Sequence, residues 1–396
     1  MSFPKYLVAI LLAAPIFPGE TPVENGGFVV HEWGTFTSVA GEGGSAINWQ
    51  PLSCKDDLPG FVNDLGFRGF KFEWSTTVRM ETPVLYFYAA KELEARVKVT
   101  FPQGLITESF PAGDYAVHQK DDDGAVQRLP SNLNGIDTSL RSLSGSIEWS
   151  HLKVQPDTSP VFPTDGRTTR YYAARETDSA PLSAGVDREK FLFYRGIGRF
   201  PVPLTAEVRA DGSVAVTNRS GETVPMALLF ESSGGKIGYR IGGVVDQNVE
   251  LAAPQTNGSM ADLRGQLESA LIARGLFPKE AHAMVETWKD SWFEEGARLI
   301  YIVPGGALDK NLPLQVDPAP AAVTRVFVGR IELITPEVKR VIEEAVVNND
   351  WHTMDQYSRF LRPMLERIYP GQRAKVGGIM QFVREAQRSA GAGYCR

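Results

Sequence analysis

Three short runs of this chain mix charge with aromatic side chains at spacings that allow chemistry. His31, Glu32 and Trp33 fall within FVVHEWGTFTSV, Arg79 and Glu81 within RMETPVLYFY, and Glu286, Trp288, Trp292 and Glu294 within ETWKDSWFEE. Glycoside cleavage needs two carboxyl groups about 5–9.5 Å apart, one acting as acid and the other as base or nucleophile. Glu32 and Glu81, with His31 beside them, are the candidates for catalysis, and Glu176 and Asp178 are further acids next to aromatics. Arg79, Trp33, Trp74 and Trp149 are the candidates for binding, the indoles as sugar-stacking surfaces helped by Tyr171 and Tyr172.

A structural role competes with the catalytic one. In an alternating strand Glu32 shares a face with Phe28, Val30 and Phe36. A carboxylate on that apolar side must be paired or hydrogen-bonded, because an isolated buried charge is too costly. The Arg79 guanidinium offers five donors in a fixed fork and can serve two carboxylates. A Glu32–Arg79–Glu81 cluster is therefore expected, with His31 on the opposite face.

Other chemistries find no support. His31-Glu32 is not followed by the HExxH spacing, and no two of the five histidines (31, 118, 151, 282 and 352) share ligand spacing, so no metal site and no cofactor are expected. Gly41-Glu-Gly-Gly44 lacks the strand–GxGxxG–helix setting of a dinucleotide site, and there is no G-x-S-x-G elbow. Asp121-Asp-Asp-Gly124 reads as a solvated turn and lacks the spaced oxygens of a calcium loop. Cys54 and Cys395 form no CxxC; one long-range bridge and two separate thiols are both open.

The net charge of −6, a pI near 5.6 and the lack of any Lys/Arg-rich run argue against a nucleic-acid partner. A small-molecule or polymer ligand fits better. At the N-terminus Lys5 precedes the apolar run 6–17, which has signal-peptide length and is broken by Pro18-Gly19. No later stretch approaches the ~18 apolar residues of a membrane span, so no membrane association is expected after signal cleavage. The expected location is secreted or periplasmic.

The elements that would position these residues divide into regions: a signal peptide (1–20), an N-terminal β domain (27–140), a middle β-sandwich-like domain (145–250) and a C-terminal α/β helical region (258–396). Leu93–Phe101 alternates with Leu93, Ala95, Val97, Val99 and Phe101 inward. Pro83 implies a sheet edge, a strand start or a bulge. In 146–154 the alternation sets Ile147, Trp149, His151 and Lys153 on one face, and 171–178 reads as strand. Asp211-Gly212 marks a hairpin. Ser259 and Thr335-Pro336 read as helix starts, Pro278 as a first helical residue, and 351–368 and 372–389 as helices. The fold class is α+β, with β-sandwich-like N-terminal and middle regions followed by a helix-rich α/β C-terminal region.

The segments HEWGTFTSVAG, RMETPVLYFY, FPQGLITE, YYAARETDSAPL, KFLFYRG, ETWKDSWFEEG and FVGRIELITP, spanning about residues 31–336, resemble a family of secreted bacterial hypothetical proteins. The resemblance implies bacterial secretion and assigns no activity, fold, cofactor or site residue. The expectation for function is an extracytoplasmic hydrolase acting on a glycan or other polymer through Glu32, Glu81 and His31. The alternative is a non-catalytic envelope or ligand-binding protein whose charged-aromatic motifs are structural. Export predicts a mature chain that begins between about Pro15 and Val23. N-terminal sequencing of protein from the extracytoplasmic fraction checks this, and an intact Met1 in cytoplasmic protein contradicts it.

Overall fold

The run from Phe28 to Val39 forms one strand with every residue buried, as its near-continuous apolar and small side chains require when both faces are covered. It pairs in parallel with Ala322–Leu333 and antiparallel with Val78–Ala89. The computed structural model describes residues 27–52, 58–65, 75–121, 123–129 and 142–390, without the Ser358 side chain. The expected signal peptide, Trp74, Cys54 and Cys395 lie outside the described residues.

Around this strand the chain builds a mixed α/β structure with a sixteen-stranded sheet and a helical C-terminal region. One flank runs from Phe28–Val39 through Val78–Ala89, Leu192–Gly198 and Gly104–Phe110 to Leu143–Val154. The other runs through Ala322–Leu333, Gly296–Ile302 and Val224–Ser233 to Lys236–Val245. Strands from all three regions distinguished in the sequence therefore share one sheet. A separate three-stranded sheet joins Leu204–Val208, Val214–Asn218 and Asn248–Leu251, including the hairpin at Asp211-Gly212.

Local patterns place many elements as expected. Leu93–Phe101 is a strand with Ala95, Val97, Val99 and Phe101 buried. Ser259 caps Met260–Ile272 by accepting the Asp262 N–H, and Thr335 caps Pro336–Val347 by accepting that of Val338. Three expectations are corrected. Residues 170–175 form a 3₁₀ helix, not a strand. The 351–368 run is broken into Trp351–Gln356, a 3₁₀ turn at Ser358–Phe360 and Leu361–Ile368. In Leu143–Val154 the register shifts between the Ala95↔Leu152 and Val97↔Trp149 pairs, so Leu152 and Val154 turn inward while His151 and Lys153 point to solvent.

The central sheet has two different faces. On one, Val29, Trp33, Val84, Tyr86 and Tyr88 pack beneath Met260–Ile272 and Pro278–Trp292, whose Trp288 and Trp292 rings stack 6.3 Å apart. The other carries Phe28, Val30, Phe36, Met80 and Leu85 into a larger core shared with the small sheet and the C-terminal helices. Near the centre Gly196 passes so close to Leu105 that a Cβ would lie 2.4 Å from its carbonyl oxygen. The obstacle is backbone and cannot swing aside. Gly196→Ala should lower the unfolding free energy by about 1–3 kcal/mol, the usual cost of overpacking. Urea denaturation checks it, and an unshifted midpoint contradicts it.

Candidate functional site

Glu32 leaves the central strand directly opposite Arg325 in the parallel ladder. Its carboxylate is fully buried and takes a 2.6 Å hydrogen bond from Arg325 Nε and another from the Tyr194 hydroxyl. The same guanidinium donates to Asp309 at 2.7 Å and to the Leu312 carbonyl at 2.8 Å. Burial, and then the Glu32 charge, push the Tyr194 hydroxyl far above its ordinary range, so it serves as a donor. Burial alone would lower Arg325, but Glu32, Tyr194 and Asp309 together outweigh it and hold the guanidinium charged. Arg325 forms part of the wall of two clefts, of about 480 and 790 Å³. Glu32 lies behind it, without exposure.

Arg79 and Glu81 do not join Glu32. The register between the first strand and Val78–Ala89 shifts between Trp33↔Val84 and Thr35↔Glu81. The extra residue is absorbed where Thr82 takes φ +46° ahead of Pro83. This is the bulge that Pro83 allowed, and it reverses the alternation. Leu85 stays on the Glu32 face, while Glu81 and Arg79 oppose Thr35 and Thr37 on the His31 face. The expected Glu32–Arg79–Glu81 cluster is therefore replaced by two separate arrangements.

On that second face Arg359 Nη1 donates to both carboxylate oxygens of Glu81, each at 2.9 Å. Arg359 also donates to Ser291 Oγ at 2.9 Å, as does Arg330 at 2.7 Å. Arg330 further pairs with Glu294 and, at 2.6 Å, with Glu332, which Arg298 reaches at 3.0 Å. The guanidiniums of Arg330 and Arg359 both lie over the Phe360 ring. Arg79 donates to the Pro51 carbonyl at 2.7 Å. Burial favours the neutral form of Glu81, but Arg359, Arg79 and Arg330 override it and hold the carboxyl well below the usual carboxylate range. Glu332 is lowered for the same reason, by Arg298 and Arg330 against burial. RMETP, SWFEE and VGRIEL thus meet in one buried ionic network.

His31 is occupied elsewhere on this face. Its Nδ1 lies 2.8 Å from Glu280 Oε2, and Glu280 also accepts the Tyr88 hydroxyl at 2.8 Å and the Phe277 N–H at 2.7 Å. Glu280 thereby caps the helix that begins at Pro278, with the His31 ring 4.5 Å from that of Phe277. Trp33 and Trp149 are buried core residues, the latter donating to the Pro111 carbonyl at 3.0 Å, so neither offers a face to a sugar. Tyr171 is buried too and donates to Glu189, which Arg175 also holds at 2.7 Å. His151 pairs with Glu94 and His282 with Glu268 on the surface. Among the described residues no three potential metal ligands converge.

Sequence reasoning missed Arg325, Arg359 and Glu280 as partners. Arg325 lies 293 positions from Glu32, Arg359 278 from Glu81 and Glu280 249 from His31. The one available signal was local: Glu280 stands three residues after Phe277, the spacing of a helix-capping acid. Glu32, Glu81 and His31 are thus each held in a buried pairing, with Glu32 and Glu81 on opposite faces of one sheet, while Glu176 and Asp178 lie exposed, the latter against Lys279 at 2.6 Å.

No protein-family model and no curated protein matches the chain. Among solved structures, the yeast delta-COP-I mu-homology domain aligns with 77% of this chain and 96% of its own, at 6% identity and a TM-score of 0.27. A beta-1,2-glucanase from Parabacteroides distasonis aligns with 78% of this chain and 44% of its own, at 9% identity and a TM-score of 0.11. Scores this low carry no weight for fold or function.

The Glu81 pairing has a pH signature. Its folded-state pKa is depressed, so its contribution is present above the unfolded-state value, about 4.3, and is lost as pH falls toward the folded one. Glu81→Gln should cost about 3–5 kcal/mol at pH 7, because it leaves buried arginine charge uncompensated. The gap to the native protein should narrow below about pH 4. Urea unfolding of both proteins at neutral and acidic pH checks this; a gap independent of pH contradicts it.

Proposed function

We propose that this is a secreted or periplasmic, non-catalytic ligand-binding protein of the bacterial envelope, whose charged-aromatic motifs specify its fold. On this reading the N-terminal and middle regions act as a sandwich-like β body that presents loops and clefts to a ligand. The observation that supports it is the separation of Glu32 and Glu81 onto opposite faces of the central sheet, each spent on its own arginine. A glycosidase pair must share one substrate-filled space, and these two carboxylates have a sheet between them. His31 is likewise held against Glu280 and lines neither of the two clefts at Arg325.

Purified protein should hydrolyse none of a panel of polysaccharides, chromogenic glycosides and esters. Glu32→Gln should show its effect as lost stability on the order of 3–5 kcal/mol, since Arg325 would keep a buried charge without its main partner. Hydrolysis abolished by Glu32→Gln or Glu81→Gln, with the melting temperature retained, would overturn this reading in favour of a hydrolase.

A further inference from the structure

The strand Ala322–Leu333 is paired along only part of one edge. Its antiparallel neighbour Gly296–Ile302 stops at the Ile302↔Val328 pair, followed by one bond from the Val303 N–H to the Phe327 carbonyl at 2.8 Å. Pro304 then turns the chain into the helix Gly305–Asn311. Backbone groups alternate between the two sides of a strand. Because Phe327 faces the Gly296–Ile302 side, so do the N–H and C=O groups of Arg325 and Val323. Their neighbours Thr324 and Val326 serve the ladder to Phe28–Val39. Among the described residues, no strand pairs with this edge from Ala322 to Val326.

The open edge runs between the two clefts that share Arg325 and Gly305. Val323 is 46% exposed in the larger, and Val244 is 60% exposed in the smaller. Of the charged groups here, Arg325 is committed to Glu32 and Asp309, and Glu222 accepts the Gly306 N–H at 3.0 Å. Arg274 is exposed and has no carboxylate partner among the described residues. An unpaired edge is a template for another strand, and main-chain bonding there is how sheets capture extended peptides.

We propose that this edge binds an extended segment of a partner polypeptide, added antiparallel where the Gly296–Ile302 strand leaves off. The segment pairs its backbone with Val323 and Arg325, sets an apolar side chain against Val323 and places an acidic one at Arg274. This rests on the non-catalytic binding reading and names its partner class.

The test uses random dodecapeptides displayed on phage, selected on the full-length protein, with the winners synthesised, fluorescein-labelled and titrated by anisotropy. Val323→Pro removes one outward N–H without touching the ladder to Phe28–Val39. It should weaken binding at least about ten-fold, while Val323→Thr, which keeps the N–H, stays within about two-fold. Arg274→Glu should weaken it several-fold and reduce its sensitivity to salt. If Val323→Pro fails to fold, peptides N-methylated at alternate amides decide: one set should lose binding and the offset set keep it. No enriched peptide, equal affinity for Val323→Pro that folds, or equal effects of both methylated sets would overturn the proposal. Polymer hydrolysis would overturn the non-catalytic reading separately, since the peptide titration does not depend on it.

Discussion

A charge on a strand covered on both faces has to find its counter-charge inside the protein, and the central strand of this molecule is built around that demand. Water is not available to Glu32, so Arg325 and Tyr194 replace it. On the reverse side Glu81, Glu294 and Glu332 balance Arg298, Arg330 and Arg359 across strands, the end of a helix and a 3₁₀ turn. Such networks are costly to assemble and more costly to break singly, because each lost partner strands a charge. They therefore discriminate strongly among registers: a one-residue slip would move Glu32 or Glu81 to the wrong face.

The same pairing ties distant parts of the chain together. The first described strand lies between the second long strand and one near residue 330, and the ion-pair partners Glu280, Arg325 and Arg359 of His31, Glu32 and Glu81 come from residues 280–359. The core cannot be completed until that late segment arrives. The topology is thus dominated by contacts of high sequence separation, the kind that folds slowly because loop closure precedes its reward.

These constraints bear on function. Glu32, Glu81 and His31, which draw attention as acids and bases, are each paired inside the protein, whereas the Ala322–Leu333 strand runs out of neighbours at its first residues. The parallel pairing that fixes Arg325 against Glu32 carries the Ala322–Leu333 strand past the end of Gly296–Ile302, and the overhang becomes the wall of the clefts. One strand thereby anchors the core through its side chains and presents backbone at its rim.

What could be read from the sequence was local. Alternation over Leu93–Phe101, the caps at Ser259 and Thr335, the proline at the start of the 278–292 helix and the turn at Asp211-Gly212 each depend on neighbouring residues, and each appears as read. The sequence also determined that Glu32 would need a buried partner and that Pro83 would disturb its strand. It could not say which cation would answer, because Arg79 lies nearby in sequence while Arg325 lies nearby in space. Nor could it choose among the consequences of Pro83: only packing made it a bulge, with Thr82 at positive φ, and so turned Glu81 away from Glu32. The inward turn of Leu152 in place of His151 has the same origin. A bulge changes strand parity by one residue, and its position is set by the partner strand, which alternation within a single segment does not contain.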